Sequence, residues 1–238
     1  MPRNVADILV DPEGTPTMRI VFCLAICQKL TYISDIEDVM QTVAEKILSE
    51  AKTLPEGALI SAKEFLHLGS RAAVDQALKR LKERKELMRL YQGVYVRPVK
   101  TRFGTRAPAA EKVVECIAAT RAETVVAHGA AAANSLGLTT QVPTKLVYLT
   151  SGKSRRLKLG AQVVEMKHAP QWMLLPSHRA AGEAVRALAW IGEHRATEAL
   201  TALKQRLPQS TVDELIALRP SLPAWMSKSI GQTLVSHG

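Results

Sequence analysis

The chain has 238 residues, 47% apolar and 23% charged, with a formal net charge of +10 and a pI near 9.7. That size and balance describe a globular chain that buries one large or two small cores and favours an anionic partner. Aromatic residues make up only 4%, which argues against a stacking platform for single strands, and three scattered cysteines (Cys23, Cys27, Cys116) argue against a disulfide framework and for a reducing cytoplasm.

Residues 1–39 differ in charge from the rest of the chain. They hold three cations (Arg3, Arg19, Lys29) against six acids (Asp7, Asp11, Glu13, Asp35, Glu37, Asp38). The apolar run from Ile20 to Cys27 is shorter than the ~20 residues that span a bilayer, and acids precede it, so neither a membrane helix nor a signal peptide is expected. Met40 opens a sequence that reads as a natural start. Residues 1–39 are therefore expected to be a variable or mis-started extension.

A first helix is expected from Thr42 to Leu54, carried by Val43, Ile47 and Leu48 and broken at Pro55-Glu56-Gly57. Ala58 to Ser61 then supplies a short strand. Ser61 and Glu64 form a capping-box pattern, which predicts a helix from Ala62 that ends at Leu68 and Gly69. Ser70 caps the next helix, in which Val74, Ala77, Leu78 and Leu81 make one apolar stripe. Its other side carries Ala72, Asp75, Gln76, Lys79 and Glu83, with Arg71 in the first turn and Arg80 on the flank. Glu86–Tyr91 and Val94–Arg97 read as strands joined by a tight turn at Gln92-Gly93.

Two helices followed by a hairpin predict a winged helix-turn-helix over residues 40–98. From Ser70 to Arg106 the chain holds 11 Lys or Arg against 3 acids, a net +8. Cations suit phosphates, Gln76 or an arginine suits base edges, and Ala72 suits a thymine methyl, with Arg89 and Tyr91 on the wing. The alternative for that helix alone is a solvated charged face. Residues 99–108 read as a basic linker containing Phe103-Gly104.

The second domain, 109–238, opens with a helix from Ala109 to Thr120 whose buried side is Val113, Val114, Ile117 and Ala118. A strand at Val125-Val126 comes after it, then a small-residue helix from Gly129 to Leu136 that lets backbones approach closely. Strands are expected at Lys145–Thr150, Arg156–Leu159 and Gln162–Met166. The remainder is helical: His178–Ile191, Thr197–Leu207, Thr211–Leu218 and Ala224–Leu234. The fold class is thus α+β, a winged helix-turn-helix followed by a mixed α/β domain ending in helices.

Catalytic signatures are sparse. Gly152-Lys153-Ser154 ends like a phosphate-binding loop, but Val147 stands where the first glycine belongs, and a strand rather than a helix is expected next. Lys153, Arg155, Arg156 and Lys158 form a second basic cluster, either a solvated hairpin or a site for an anion or partner. The six histidines are scattered, no metal spacing or nucleophile–base pair stands out, and no cofactor is expected.

The segments GSRAAVDQALKRL (69–81), GVYVRP (93–98), FG (103–104), GAAAANSLGLTTQVPTKLVYLTSGKSR (129–155) and LPAWM (222–226) resemble the AbiEi-type antitoxins of type IV toxin-antitoxin systems over residues 41–236. The resemblance implies a bacterial protein whose winged helix represses its own operon, and whose second domain counteracts a co-encoded nucleotidyltransferase-like toxin without requiring a stable complex. Carried over by position, Ser70, Arg71, Gln76, Lys79, Arg80, Arg89 and Tyr91 would face operator DNA. Asn134, Thr140, Gln141, Tyr148, Ser151, Arg155 and Arg156 would serve antitoxicity. Binding as a pair on an inverted repeat is expected. The rivals are a ligand-responsive winged-helix regulator and, from the enzyme class, a phosphoryl- or nucleotidyl-transferring protein using the Lys153–Lys158 cluster.

Overall fold

The computed structural model describes residues 43–235. The expectations for residues 1–39, Cys23 and Cys27 included, lie outside these. Within the described residues the protein is α+β, and it falls into a helix-and-sheet unit at the N-terminal side, a four-stranded sheet, and a helical layer at the C-terminal side.

Helix α1 (43–53) buries Val43, Ala44, Ile47 and Ala51, one stripe at helical spacing. Strand β1 (Leu59–Ser61) comes next. The helix expected from Ala62 to Leu68 does not form. Instead the amides of Glu64, Phe65 and Leu68 donate to carbonyls three residues back (Ser61, Ala62, Phe65), giving a run of turns. The apparent capping box fails because Ser61 is held in the β1 ladder, and its hydroxyl donates to the Glu64 carboxylate at 2.9 Å instead of accepting from an amide. A seven-residue stretch cannot repay helix nucleation without that cap. Buried Ala62 and Phe65 anchor the turns to the core.

Helix α2 (Arg71–Glu83) starts where expected, with the Ser70 hydroxyl accepting from the Ala73 amide at 3.3 Å. Its stripe of Val74, Ala77, Leu78 and Leu81 is fully buried against α1 and Phe65. Strands β2 (Met88–Tyr91) and β3 (Val94–Val96) form an antiparallel hairpin, with Gly93 at φ +76° in its turn and β1 on the free side of β3. The stretch read as a linker is a second hairpin, β4 (Val99–Thr101) paired with β5 (Gly104–Arg106).

Helix α3 (Ala110–Arg121) buries Val113, Val114 and Ile117. Strands β6 (Val125–Ala127), β7 (Leu146–Thr150), β8 (Arg155–Leu159) and β9 (Gln162–His168) lie in the order β6-β7-β9-β8, with β7 and β9 parallel and the other pairs antiparallel. A shared core joins the two sheets: Leu90 and Val96 pack with Val113, Ile117, Leu157 and Met166. The β2–β3 hairpin is therefore part of the body of the protein.

The helical layer comprises α5 (Gln171–Leu174), α6 (Ala180–Ile191), α7 (Ala196–Arg206), α8 (Gln209–Ala217) and α9 (Ala224–Ile230), around Val185, Leu188, Leu200, Leu203, Leu215 and Met226. Helix α4 (Gly129–Ser135) lies against α6. A Cβ on Gly129 would stand 2.3 Å from the Arg186 carbonyl oxygen and 2.7 Å from Trp190 Cβ, so the two backbones meet only because that side chain is missing. Gly129 is the first residue of α4, where the interior propensity gain of alanine does not apply, and overpacking against backbone costs about 1–3 kcal/mol. A net loss is expected, read as a fall in melting temperature of a few degrees; an unchanged or raised melting temperature refutes the close packing.

Candidate nucleic-acid interface

On α2 the buried stripe leaves the opposite side to solvent. Ser70, Arg71, Ala72, Asp75, Gln76 and Lys79 are exposed and Arg80 is half-buried. Arg71 Nε donates to Asp75 Oδ2 at 2.9 Å, an exposed i,i+4 pair. Among the described residues, Lys79, Arg80, Lys82, Arg84, Lys85 and Arg89 have no acidic group within 4.0 Å. Unneutralised cations crowded along one helix and the loop after it are an electrostatic footprint for a polyanion.

The hairpin residues are placed differently. Arg89 is exposed, its Nε donating to the Tyr91 carbonyl at 3.4 Å. Tyr91 faces the second unit: its hydroxyl accepts from Arg121 at 2.8 Å, and that guanidinium lies 5.5 Å from the ring centre. Arg97 donates to the Leu54 carbonyl, so part of the cation cluster has a structural use.

The seven residues assigned to antitoxicity separate into three places. Asn134 donates to the carbonyls of Thr139 (3.3 Å) and Gln141 (3.2 Å), which fixes the loop after α4 and presents exposed Thr140 and Gln141. Tyr148 and Arg155 both oppose Met166 of β9, so they share one sheet face, and Ser151 closes the turn beyond β7 by accepting from the Thr124 amide at 3.0 Å. Arg156 is on the other face with Glu165, 3.3 Å away, where exposed Lys158 also stands. Strand alternation thus splits the basic cluster of the sequence.

Arg155 is not a free cation. Its guanidinium forks onto both oxygens of Glu123 at the end of α3, with the side chains only 14% and 13% exposed, and Thr150 Oγ1 adds a third hydrogen bond at 3.0 Å. Burial pushes the Glu123 carboxyl up, but the hydrogen bonds from Arg155 and Thr150 and the Arg155 charge outweigh it, leaving it below the usual carboxylate range. Gly152 lies directly over this carboxylate, where a Cβ would clash, so the turn that resembles a phosphate loop is closed by an acid and runs into strand β8.

A cleft of about 550 Å³ opens beside this pair, lined by Glu111, Glu123, Tyr148, His178, Glu183 and Arg186 among others. Burial and the carboxylates of Glu111 and Glu115 raise the Tyr148 phenol. Arg186 is 3% exposed, donates to the carbonyls of Met173 and Ser177 at 3.4 Å, and has its pKa lowered by burial, partly offset by Glu183. Neither Glu123 nor Arg186 was singled out in the sequence. An arginine on the apolar side of AAGEAVRALAWI is the signal for the second; a lone acid just past a helix carries none.

Among the described residues, no group of three or more His, Cys, Asp or Glu stands where it could hold a metal, and no helix is long and apolar enough to cross a membrane. The fold and its exposed groups thus define an α+β protein with a cationic helix face and a helical C-terminal layer. The chain belongs to DUF6088, a family of unknown function whose profile matches residues 46–215. It is similar in fold to the crystal structure of the RV2827C protein from Mycobacterium tuberculosis, at 16% identity and a TM-score of 0.50 over 83% of this chain and 78% of that one. No curated protein matches it in sequence.

Proposed function

We propose that this protein is a DNA-binding autorepressor whose residues 43–97 work as a winged-helix unit, with the run of turns at 62–68 in place of the helix before α2 and α2 as the reading helix, and that it is the antitoxin of a type IV toxin-antitoxin pair acting in the cytoplasm. The observation that carries the DNA reading is the face of α2: a fully buried apolar stripe on one side, and Ser70, Ala72, Gln76 and Lys79 exposed on the other beside unneutralised cations. Phosphate contacts would position the helix, and Gln76 with Arg71 would read base edges. The exposed Arg71–Asp75 pair is weak enough, at about 0.3–0.5 kcal/mol, to yield Arg71 to a phosphate or a guanine.

The antitoxin assignment rests on the sequence resemblance, with exposed Thr140, Gln141, Ser151 and Arg156 as the groups open to a partner. The test has two arms. Purified protein should retard a fragment from upstream of its own gene in a salt-dependent gel shift, and co-expression should relieve growth arrest caused by a nucleotidyltransferase-like toxin encoded beside it. Failure to retard any duplex at low salt removes the repressor; failure to relieve arrest removes the antitoxin. The cleft beside Tyr148 and Arg186 favours a second reading, a regulator released from DNA by a small ligand, which a metabolite-dependent loss of the gel shift would establish.

A further inference from the structure

We propose that the β4–β5 hairpin, and not the β2–β3 hairpin, is the arm that reaches the minor groove, with Phe103 as an apolar wedge at a base step; this rests on the DNA-binding reading above. Two hairpins follow α2 in the chain, and they differ in what holds them. Leu90 and Val96 of β2–β3 are buried in the core shared with α3 and β8, and the Tyr91 hydroxyl is taken by Arg121. That hairpin is occupied by the protein itself. The β4–β5 hairpin pairs only with itself and is exposed along its whole tip, from Lys100 to Arg106.

The tip is built to hold an aromatic ring outward. Phe103 is 86% exposed, the most exposed large apolar side chain among the described residues. Thr101 fixes the turn by donating to the Gly104 carbonyl at 2.9 Å and accepting from the Phe103 amide at 3.3 Å, while Gly104 takes φ +117°. The Arg102 guanidinium lies 4.6 Å from the ring centre, so a cation and a flat apolar face are presented together. Ion pairs secure the base: Lys100 with Glu86 just past α2 (3.3 Å), and Arg106 with Glu56 just past α1 (3.4 Å). The arm therefore stands at the C-terminal end of α2, next to unneutralised Lys82, Arg84 and Lys85.

Charge complementarity selects the occupant. An exposed apolar ring with an arginine over it suits neither an apolar protein groove nor a cationic partner. It suits a duplex, where arginine is drawn to the negative potential of a narrow minor groove and a wedge side chain between base pairs kinks the helix. With α2 in the major groove, an arm fixed at one end of that helix would enter the adjacent minor groove.

The test uses the full chain and a fragment of about 200 bp from upstream of its own gene, in gel shifts and circular-permutation bending assays. The wild type is expected to bend the fragment by roughly 20–90°. Phe103→Ala should lose at least half of the bend and about tenfold in affinity, with an unchanged salt slope because no phosphate contact is removed, while Phe103→Leu keeps most of both. Arg102→Ala should lower the log–log salt slope by about 1. Because Phe103 is exposed, these variants should fold, and a thermal melt checks it. If the wild type binds and Phe103→Ala matches it in bend and affinity, the wedge is overturned and the DNA reading stands. If the wild type binds no duplex, both fall. If Phe103→Ala leaves the bend intact but splits a dimer or loses the co-expressed toxin, the hairpin is a protein contact and the proposal is overturned.

Discussion

Arg155→Ala is expected to cost about 3 kcal/mol of folding stability, which for a domain of this size is a fall of roughly 6–12 °C in melting temperature. The substitution leaves Glu123 charged and enclosed, with Thr150 as its remaining donor. Breaking a buried pair by removing one partner costs about 3–5 kcal/mol; the lower end applies here because both groups retain some exposure. The pH dependence comes from the direction of the Glu123 shift. In the wild type its folded pKa lies below the ordinary value, so the pair's contribution is full above the ordinary carboxylate range and is lost as pH falls through the folded pKa. In the variant both lowering influences of Arg155 are gone, leaving burial opposed by Thr150 and Arg121, so the folded pKa of Glu123 moves up from its wild-type position, and the penalty is largest at neutral pH and relieved as it protonates. Denaturation of both proteins at about pH 7 and pH 4 should show the gap between them closing in acid; a constant gap would mean that the charge of Glu123 is not what the substitution strands.

The cost of losing Arg155 bears on any test of the proposed antitoxicity. Loss of protection in Arg155→Ala would report a weakened sheet as readily as a lost contact. Arg156→Ala is the cleaner probe: that side chain is 77% exposed and its pair with Glu165 is a surface one, so stability should change by less than about 0.5 kcal/mol. Protection lost with the melting temperature unchanged would assign Arg156 a role at the surface.

Legibility in the sequence obeys one rule: signals that are local and periodic survive folding, and signals that need a partner far along the chain do not. The stripe of α2, the cap at Ser70 and the tight turn at Gly93 are of the first kind, each decided by residues within a turn or two. The false helix at Ala62 shows the limit, since the capping pattern was present but the strand ladder had already claimed Ser61. The β4–β5 hairpin was hidden because its six paired residues lack strong alternation and its turn, Arg102-Phe103, is no standard hairpin signal. The Arg155–Glu123 pair and the row Tyr148–Met166–Arg155 were beyond reach. They depend on β9 entering between β7 and β8, a register that no single stretch encodes.

Removing Lys79 and Arg80 together is expected to weaken binding to promoter DNA by about 100-fold at moderate salt and to lower the log–log salt slope by about 2, one for each lost phosphate contact. The geometry makes this a clean experiment. Lys79 is exposed, neither side chain is paired with an acid among the described residues, and alanine is the best helix former, so α2 should persist with its stripe intact. Gln76→Ala should behave differently, because a side chain that reads a base edge loses discrimination: about 1–3 kcal/mol at one position of the operator, with little change in slope. The two variants thus separate positioning from reading on the same helix. Should the double variant bind with wild-type affinity and slope while remaining folded, α2 does not face the phosphates, and the cations around it are a solvated surface after all.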